Sequence, residues 1–259
     1  MKNSSILTRD ALHSRLETAR QVARDAGALA LSYQERLRRN ELVIIEKGVQ
    51  DFVSEADRAT ERLIREALTR QYPEDGFLGE ETGSAPDGLG VWVVDPIDGT
   101  SNYLRQHRHW CVSIAYVVDE KPVLGVIYDP SNDELFHALA GEGAYLNDHH
   151  LRPDRSLAAR AGMVNLGYSA KAELRHHLST IERLLEQGIE YRRCGSAALG
   201  LAHVATGRFD GYAEAFINAW DVMAGVVIVR EAGLWVELKT QPGGYAIRAG
   251  VPALASILV

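Results

Sequence analysis

Residues 11 to 34 place Leu12, Leu16, Ala19, Val22, Ala23, Ala26, Leu29, Ala30 and Tyr33 at intervals of three and four. That spacing lays apolar side chains along one stripe of an α-helix. "LVIIEK" at 42 to 47 is short and β-branched and predicts a strand. Ser54 precedes a second helical repeat through Leu63, Ile64, Ala67 and Leu68, which Tyr72-Pro73 stops. From 91 to 147 the period changes. "VWVVD", "CVSIAYVVD", "PVLGVIYD" and "ELFHALAG" are separated by Asp-Glu-Lys-Pro and Asp-Pro-Ser-Asn turn signals, which predicts an antiparallel meander.

Residues 151 to 160 are arginine-rich and irregular and predict a junction between two halves, 1–150 and 151–259. The second half alternates. A strand near "GMVNLGY" precedes a helix at 171 to 187 closed by Gly188, a strand at 189 to 194, and a helix at about 197 to 206 ending at Gly207. After "FDGYAE", a helix at about 222 to 232 ends at Gly233, and "LWVEL" and "PALASILV" are predicted closing strands. The front half therefore reads as α+β and the back half as α/β, with the ligand expected where the halves meet, near strand ends and helix starts.

Composition narrows the function. A chain of 259 residues with 46% hydrophobic and 24% charged content is an ordinary globular sequence, large enough for one domain or two fused halves. MKNSSILTRD lacks the apolar centre of a signal peptide, and no apolar run approaches the roughly 20 residues of a membrane span. No membrane association and a cytoplasmic location are the expectation. Cys111 and Cys194 lie far apart without CxxC spacing, so no disulfide framework or zinc site is suggested, and both are expected to be reduced and buried. A net charge of -7 argues against sequence-independent nucleic-acid binding and leaves acids available for cations.

The chemistry concentrates in "VWVVDPIDGTSNYL" at 91 to 104. Asp95 ends an apolar strand, Pro96 fixes φ, and Asp98 comes two positions later, so two carboxylates and the Ile97 carbonyl can converge on a hard cation. Gly99 allows close backbone approach, and Thr100 can open a helical turn whose N–H groups face an anion while its hydroxyl orients a water. An isolated Asp-Pro-x-Asp-Gly is more often a plain turn. Other acids weigh against that reading: Glu80 and Glu81 in "FLGEETG", and Asp221 at a helix start in "NAWDVMAG". Each has an alternative. Asp221 would serve as an N-cap worth about 1 kcal/mol, and Asp57, three residues after Ser54, fits a capping box. Gly141-Glu142-Gly143 reads as a β-turn, His149-His150 and His176-His177 as surface pairs, and Trp92 and Trp235 as core.

Five segments, "DFVSEAD" at 51 to 57, "GEE" at 79 to 81, "WVVDPIDGTSNY" at 92 to 103, "GSAA" at 195 to 198 and "WDVMAGVVIVREAG" at 220 to 233, resemble the inositol monophosphatase family in letters, order and spacing. The resemblance runs from about Lys47 to Gly233. It implies a layered αβαβα sandwich, with an antiparallel sheet carrying most metal ligands in 1–150 and a mixed sheet in 151–259 that supplies Asp221 and substrate contacts. It implies a first Mg²⁺ on Glu80, Asp95 and the Ile97 carbonyl, and a second on Asp95, Asp98 and Asp221. A third, weaker ion would bind close to Glu80. Mn²⁺ would be a substitute, and Li⁺ and Ca²⁺ inhibitory occupants. Glu80 and Thr100 would activate the attacking water, with Asp57 and Lys47 in support.

For the substrate, the resemblance implies a small-molecule phosphate ester held at Asp98, Gly99, Thr100, Gly195, Ser196, Ala197, Glu214 and Asp221. Inositol monophosphate or a similar polyol or sugar phosphate is expected, with histidinol phosphate or adenosine bisphosphate as alternatives. Residues 105 to 110, "RQHRHW", depart from the family pattern, which leaves room for a substrate with an additional anionic or aromatic part; the alternative for the histidines is a solvated loop. A homodimer is implied, with Arg192-Arg193 in the subunit contact. A reading of another class keeps the fold for a regulatory or interaction role with RNA or the transcription machinery.

Overall fold

The computed structural model describes residues 7–39, 44–48, 51–85, 88–153 and 162–258, with backbone alone at 44–48, 51–54 and 84–85. Helix α1 (Arg9–Arg38) begins where the Thr8 hydroxyl accepts the Ala11 N–H. Its small buried residues, Ala19, Ala23, Ala26 and Ala30, bring it close to α2 (Glu55–Gln71) and to the first sheet. Among those apolar side chains lies a buried ion pair: Arg15 donates Nε and Nη2 to Asp75 at 2.9 and 3.0 Å. The same carboxylate accepts from Tyr116 Oη at 2.7 Å and Trp92 Nε1 at 3.1 Å, which leaves no part of it unsatisfied.

The hairpin β1 (Ile44–Gly48) and β2 (Asp51–Ser54) stands apart from the first sheet. That sheet contains β3 (Gly76–Gly79), β4 (Gly83–Ala85), β5 (Val91–Asp98), β6 (Cys111–Val118), β7 (Lys121–Asp129), β8 (Glu134–Leu139), β9 (Ala144–Leu146) and β10 (His149–His150). Their order is β10-β9-β8-β7-β6-β5-β3-β4, antiparallel except for the β3–β5 pair. Strand β5 is buried on both faces. Trp92 and Val94 meet the α1/α2 layer, while Val93 meets the second core. Two-sided burial explains its unbroken apolar run.

The second core is built on α5 (Ala197–Ala205) and α6 (Ala219–Glu231), which pack between the two sheets. Helix α6 is buried from Val222 through Val229 because a sheet covers each side of it. The second sheet has the order β12-β11-β13-β15-β14, from β11 (Met163–Leu166), β12 (Glu190–Arg192), β13 (Gly211–Ile217), β14 (Trp235–Gln241) and β15 (Gly244–Gly250). It is mixed: β11 pairs in parallel with β12 and β13, and β15 antiparallel with β13 and β14. Helix α4 (Leu174–Glu186) completes the αβαβα layering, with Leu184 in the core and Leu174, Leu178 and Leu185 exposed.

One predicted element is corrected. "PALASILV" forms no strand among the described residues; Pro252–Leu254 is a 3₁₀ turn. Proline supplies no N–H to a ladder but fits the first position of a helical turn. The closing strand is instead "GYAIRAG", whose small residues hid it from a periodicity reading.

Candidate active site

The strand β5 loses register against β6 between Asp95, which pairs with Ser113, and Asp98, which pairs with Cys111. Three steps along β5 match two along β6, a bulge at the proline that cannot donate to the ladder. Asp95 is folded back, its Oδ1 accepting the Ile97 N–H at 2.9 Å. The strand then enters α3 (Thr100–Leu104) through Gly99, whose φ is +97°. A Cβ there would lie 3.1 Å from the His109 carbonyl and 3.2 Å from the Gly195 carbonyl. Glycine is thus required both by the backbone angle and by the close approach of two other segments.

Thr100 Oγ1 lies 3.1 Å from the Ile97 carbonyl and 3.2 Å from Asp57 Oδ1. A hydroxyl has a single proton, so these two acceptors compete for it while its lone pairs remain available to a water. Asp57 is fully buried in the first turn of α2, and its carboxylate faces Thr100. The Ser54 side chain of the predicted capping box and the Lys47 side chain lie outside the described residues.

Asp98 sits at the N-terminus of α5. Its Oδ2 accepts from Ser196 Oγ at 2.6 Å and Ala198 N at 2.7 Å, and its Oδ1 from Ala197 N at 3.3 Å. An anion at a helix start is favoured by the free N–H groups and the helix dipole. Ser196 and Ala197 are therefore first of all the support of Asp98. Asp221 is not the N-cap of α6. Asn218 holds that position, and Asp221, three residues on, accepts from Asn218 N at 3.0 Å and Nδ2 at 3.2 Å through one oxygen.

Asp95, Asp98 and Asp221 each present a carboxylate oxygen, all within 4.8 Å of one another. Burial, then repulsion from Glu80, Asp98 and Asp221, pushes the Asp95 carboxyl well above its ordinary range. Burial also raises Asp98, against the opposing hydrogen bonds from Ser196 and α5. Asp221 is pushed up to about 7 by burial and by Asp98. Several buried carboxylates facing one another are costly without a compensating positive charge. Their oxygen donors suit a hard divalent cation, so the residues present fit magnesium.

Glu80 completes the acidic face by its repulsion of Asp95. Its loop is held by a residue that the sequence reading missed. Glu61, buried on α2, accepts from Glu81 N at 2.8 Å and from the Thr82 hydroxyl. An acid three residues before Ile64, on the buried face of α2, was the available signal.

A cavity of about 190 Å³ is lined by Asp98, Ser196 and Asp221 together with Tyr168, Arg193 and Glu214. Glu214 is pushed up to about 8, mainly by burial, although Tyr212 Oη donates to it at 2.6 Å. A larger cavity of about 510 Å³ lies beside α4 and shares Glu214 and Phe216 but none of the three clustered aspartates. Residues 105 to 110 line neither cavity. Arg105, His107 and Arg108 are exposed, and Arg108 donates to the Ser131 carbonyl. His109 departs from the solvated-loop expectation: its ring packs 5.5 Å from that of His203, and burial pushes it down to about 4. Cys111 is buried and free, 3.7 Å from Asp98 Oδ2, whereas Cys194 is only half-buried. His149 and His150 are exposed, and Arg192 pairs with Glu190 at 2.7 Å. No helix among the described residues is long and apolar enough to cross a membrane.

Residues 11–255 match the profile of the inositol monophosphatase family. The chain is 45% identical to the Nus factor SuhB of Xylella fastidiosa over 83% of its own length and 78% of that protein's. It is 40% identical to the inositol-1-monophosphatase of Rhizobium meliloti, over 79% and 78% of the two chains. The crystal structure of extragenic suppressor protein suhB from Bartonella henselae superposes with a TM-score of 0.85 at 35% identity, covering 95% of this chain and 96% of that one.

Proposed function

The chain belongs to the inositol monophosphatase family, and from that premise we propose that it is a magnesium-dependent phosphomonoesterase acting on inositol monophosphate or a similar polyol or sugar phosphate. The observation that carries this reading is the convergence of the buried Asp95 and Asp98 with the half-buried Asp221, Glu80 nearby, beside a cavity that Asp98, Asp221 and Glu214 line. Glu80, Asp95 and the Ile97 carbonyl would hold one Mg²⁺, and Asp95, Asp98 and Asp221 another. The bound ions supply positive charge that offsets these acids and draws electron density from the phosphate.

The chain's own groups do the rest. Thr100, its proton engaged by Asp57 or by the Ile97 carbonyl, orients the attacking water through a lone pair. Glu80 accepts that water's proton as its oxygen bonds to phosphorus. The ester P–O bond breaks, its electron pair leaves with the alcohol oxygen, and that oxygen takes up a proton. The backbone of residues 98 to 100 contacts the phosphate, and Glu214 hydrogen-bonds hydroxyls of the alcohol. Burial holds the Glu214 carboxyl up to about 8, and its oxygens accept hydrogen bonds from such hydroxyls.

The relatives named Nus factor SuhB support a second role for the same fold, in contact with the transcription machinery. The two readings are compatible. Phosphate release from a panel of inositol, sugar, histidinol and nucleotide phosphates with Mg²⁺ decides the first. Inositol or sugar phosphate is expected to rank highest, and Asp98→Asn to lose roughly 10²-fold or more in turnover. No cleaved ester, or an Asp98→Asn variant as active as the parent, overturns it.

A further inference from the structure

Asn102, at the third position of α3, has no part in the proposed ligand set or in the proposed mechanism. Its side-chain amide donates to two backbone carbonyls, His109 O at 2.7 Å and Cys194 O at 2.8 Å. Both partners are acceptors without hydrogens, so only the NH₂ end of the carboxamide fits between them, and both of its hydrogens are used. The two carbonyls belong to different halves of the molecule. His109 lies just before β6, and Cys194 lies within the loop from β12 to α5.

The residues immediately after Cys194 connect this amide to the acidic cluster. Gly195 has φ +81°, and a Cβ on it would come within 3.2 Å of Asn102 Nδ2, so this turn closes directly onto the amide. Ser196 is next, and it caps α5 and donates to Asp98 at 2.6 Å, with Ala198 N at 2.7 Å. A continuous path therefore runs from Asn102 through Cys194 and the Gly195 turn to the donors that orient Asp98. The His109 carbonyl anchors the second hydrogen of the same NH₂ group, with the His109 ring packed against His203.

We infer that Asn102 is a positioning residue, whose carboxamide staples the 194–196 turn of one half to the Asp-Gly-Thr segment of the other and so fixes the direction of Asp98. This rests on the phosphatase reading only for its activity readout. Without the amide, two carbonyls lose their donor, the Gly195 turn is released, and the α5 N–H groups no longer hold the Asp98 carboxylate in one orientation. A misplacement of about 1 Å is enough to reduce turnover at a site that depends on alignment.

The test uses the full chain and compares Asn102→Ala, Ser196→Ala and the double variant, each assayed well below its melting temperature. Asn102→Asp, which keeps the volume but turns both donors into acceptors, stands in if the alanine variant does not fold. Measured are kcat, KM for the best ester of the panel, the Mg²⁺ concentration at half-activation, and the rise in melting temperature caused by Mg²⁺ alone.

Asn102→Ala is expected to lower kcat about tenfold, to raise the Mg²⁺ requirement and to shrink the Mg²⁺-induced melting shift, with KM nearly unchanged. Because Asn102 and Ser196 act along one path, the double variant should be no worse than the more impaired of the two single variants. Parental kcat and Mg²⁺ response in Asn102→Ala, or independent multiplication of the two effects, would overturn the inference. If the parent cleaves no ester, the phosphatase reading fails separately, and the Mg²⁺-induced melting shift still decides the role of Asn102.

Discussion

Asp98 shows how single residues at this site carry two duties at once. It faces the acidic cluster, and it receives the N-terminal donors of α5, which favour its charged form against burial. Asp95 and Asp221 have less support, and burial together with their neighbours' charge raises both carboxyls. Glu214 is likewise held near pH 8. For an acid whose folded value lies above the unfolded one, near 4, the folded chain binds the extra proton between the two values. These acids therefore contribute stability to the metal-free protein that is lost as pH rises towards 8; net stability should fall from about pH 6.5 to 8, and Glu214→Gln should flatten that fall. The buried histidines act at the other end: His109 and His203 are pushed down to about 4 and about 3. Their contribution is lost below about pH 6.5, where the unfolded chain takes up protons first, and it offsets the gain from the acids there. Denaturant melts in chelator across pH 4 to 9 read both limbs; a rising alkaline limb would contradict the assignment. On the proposed substrate, Glu214→Gln should change KM more than kcat, since Glu214 touches only the alcohol.

At the level of elements, the N-terminus of α5 and the bulge in β5 are the parts that make the site. Ser196→Ala removes a cap worth about 1 kcal/mol together with its bond to Asp98. A modest drop in melting temperature with a disproportionate loss of Mg²⁺ response is expected. The α1 layer should behave differently. Arg15→Ala leaves Asp75 as a buried, uncompensated carboxylate, a change of the kind that costs about 3–5 kcal/mol. Its residual activity at low temperature should stay near the parent's, because Arg15 belongs to the α1 side of the first sheet and not to the cavity. Helix α1 was legible almost to its ends, 11 to 34 expected against Arg9–Arg38 observed, because its period reflects a single buried face. Strand β15 was not legible. Its neighbours β13 and β14, not its own alternation, make it a strand.

Across the whole molecule, the cluster draws Asp95 and Asp98 from the first sheet and Asp221 from a helix packed between both sheets. Cation binding should therefore stabilise the assembled fold, by about 2.7 kcal/mol at a hundredfold excess over Kd. Asp95→Asn should raise the melting temperature of the metal-free protein by relieving repulsion, while abolishing the Mg²⁺-dependent rise. A metal-free melting temperature below the parent's would count against mutual repulsion as the dominant effect.

The sequence alone determined most helices and strands, since apolar period and turn chemistry are local, and the resemblance to the family supplied their αβαβα layering. It also singled out Asp95, Asp98, Glu80 and Asp221, since acids beside apolar strand and helix ends stand out along a chain. Only the tertiary structure decided what each acid touches. Asp221 yields the capping position to Asn218, Asp57 turns to Thr100, and Asn102 reaches Cys194 across 92 positions of chain. Such contacts are set by how two sheets close on two helices, and no spacing within a single segment encodes that closure.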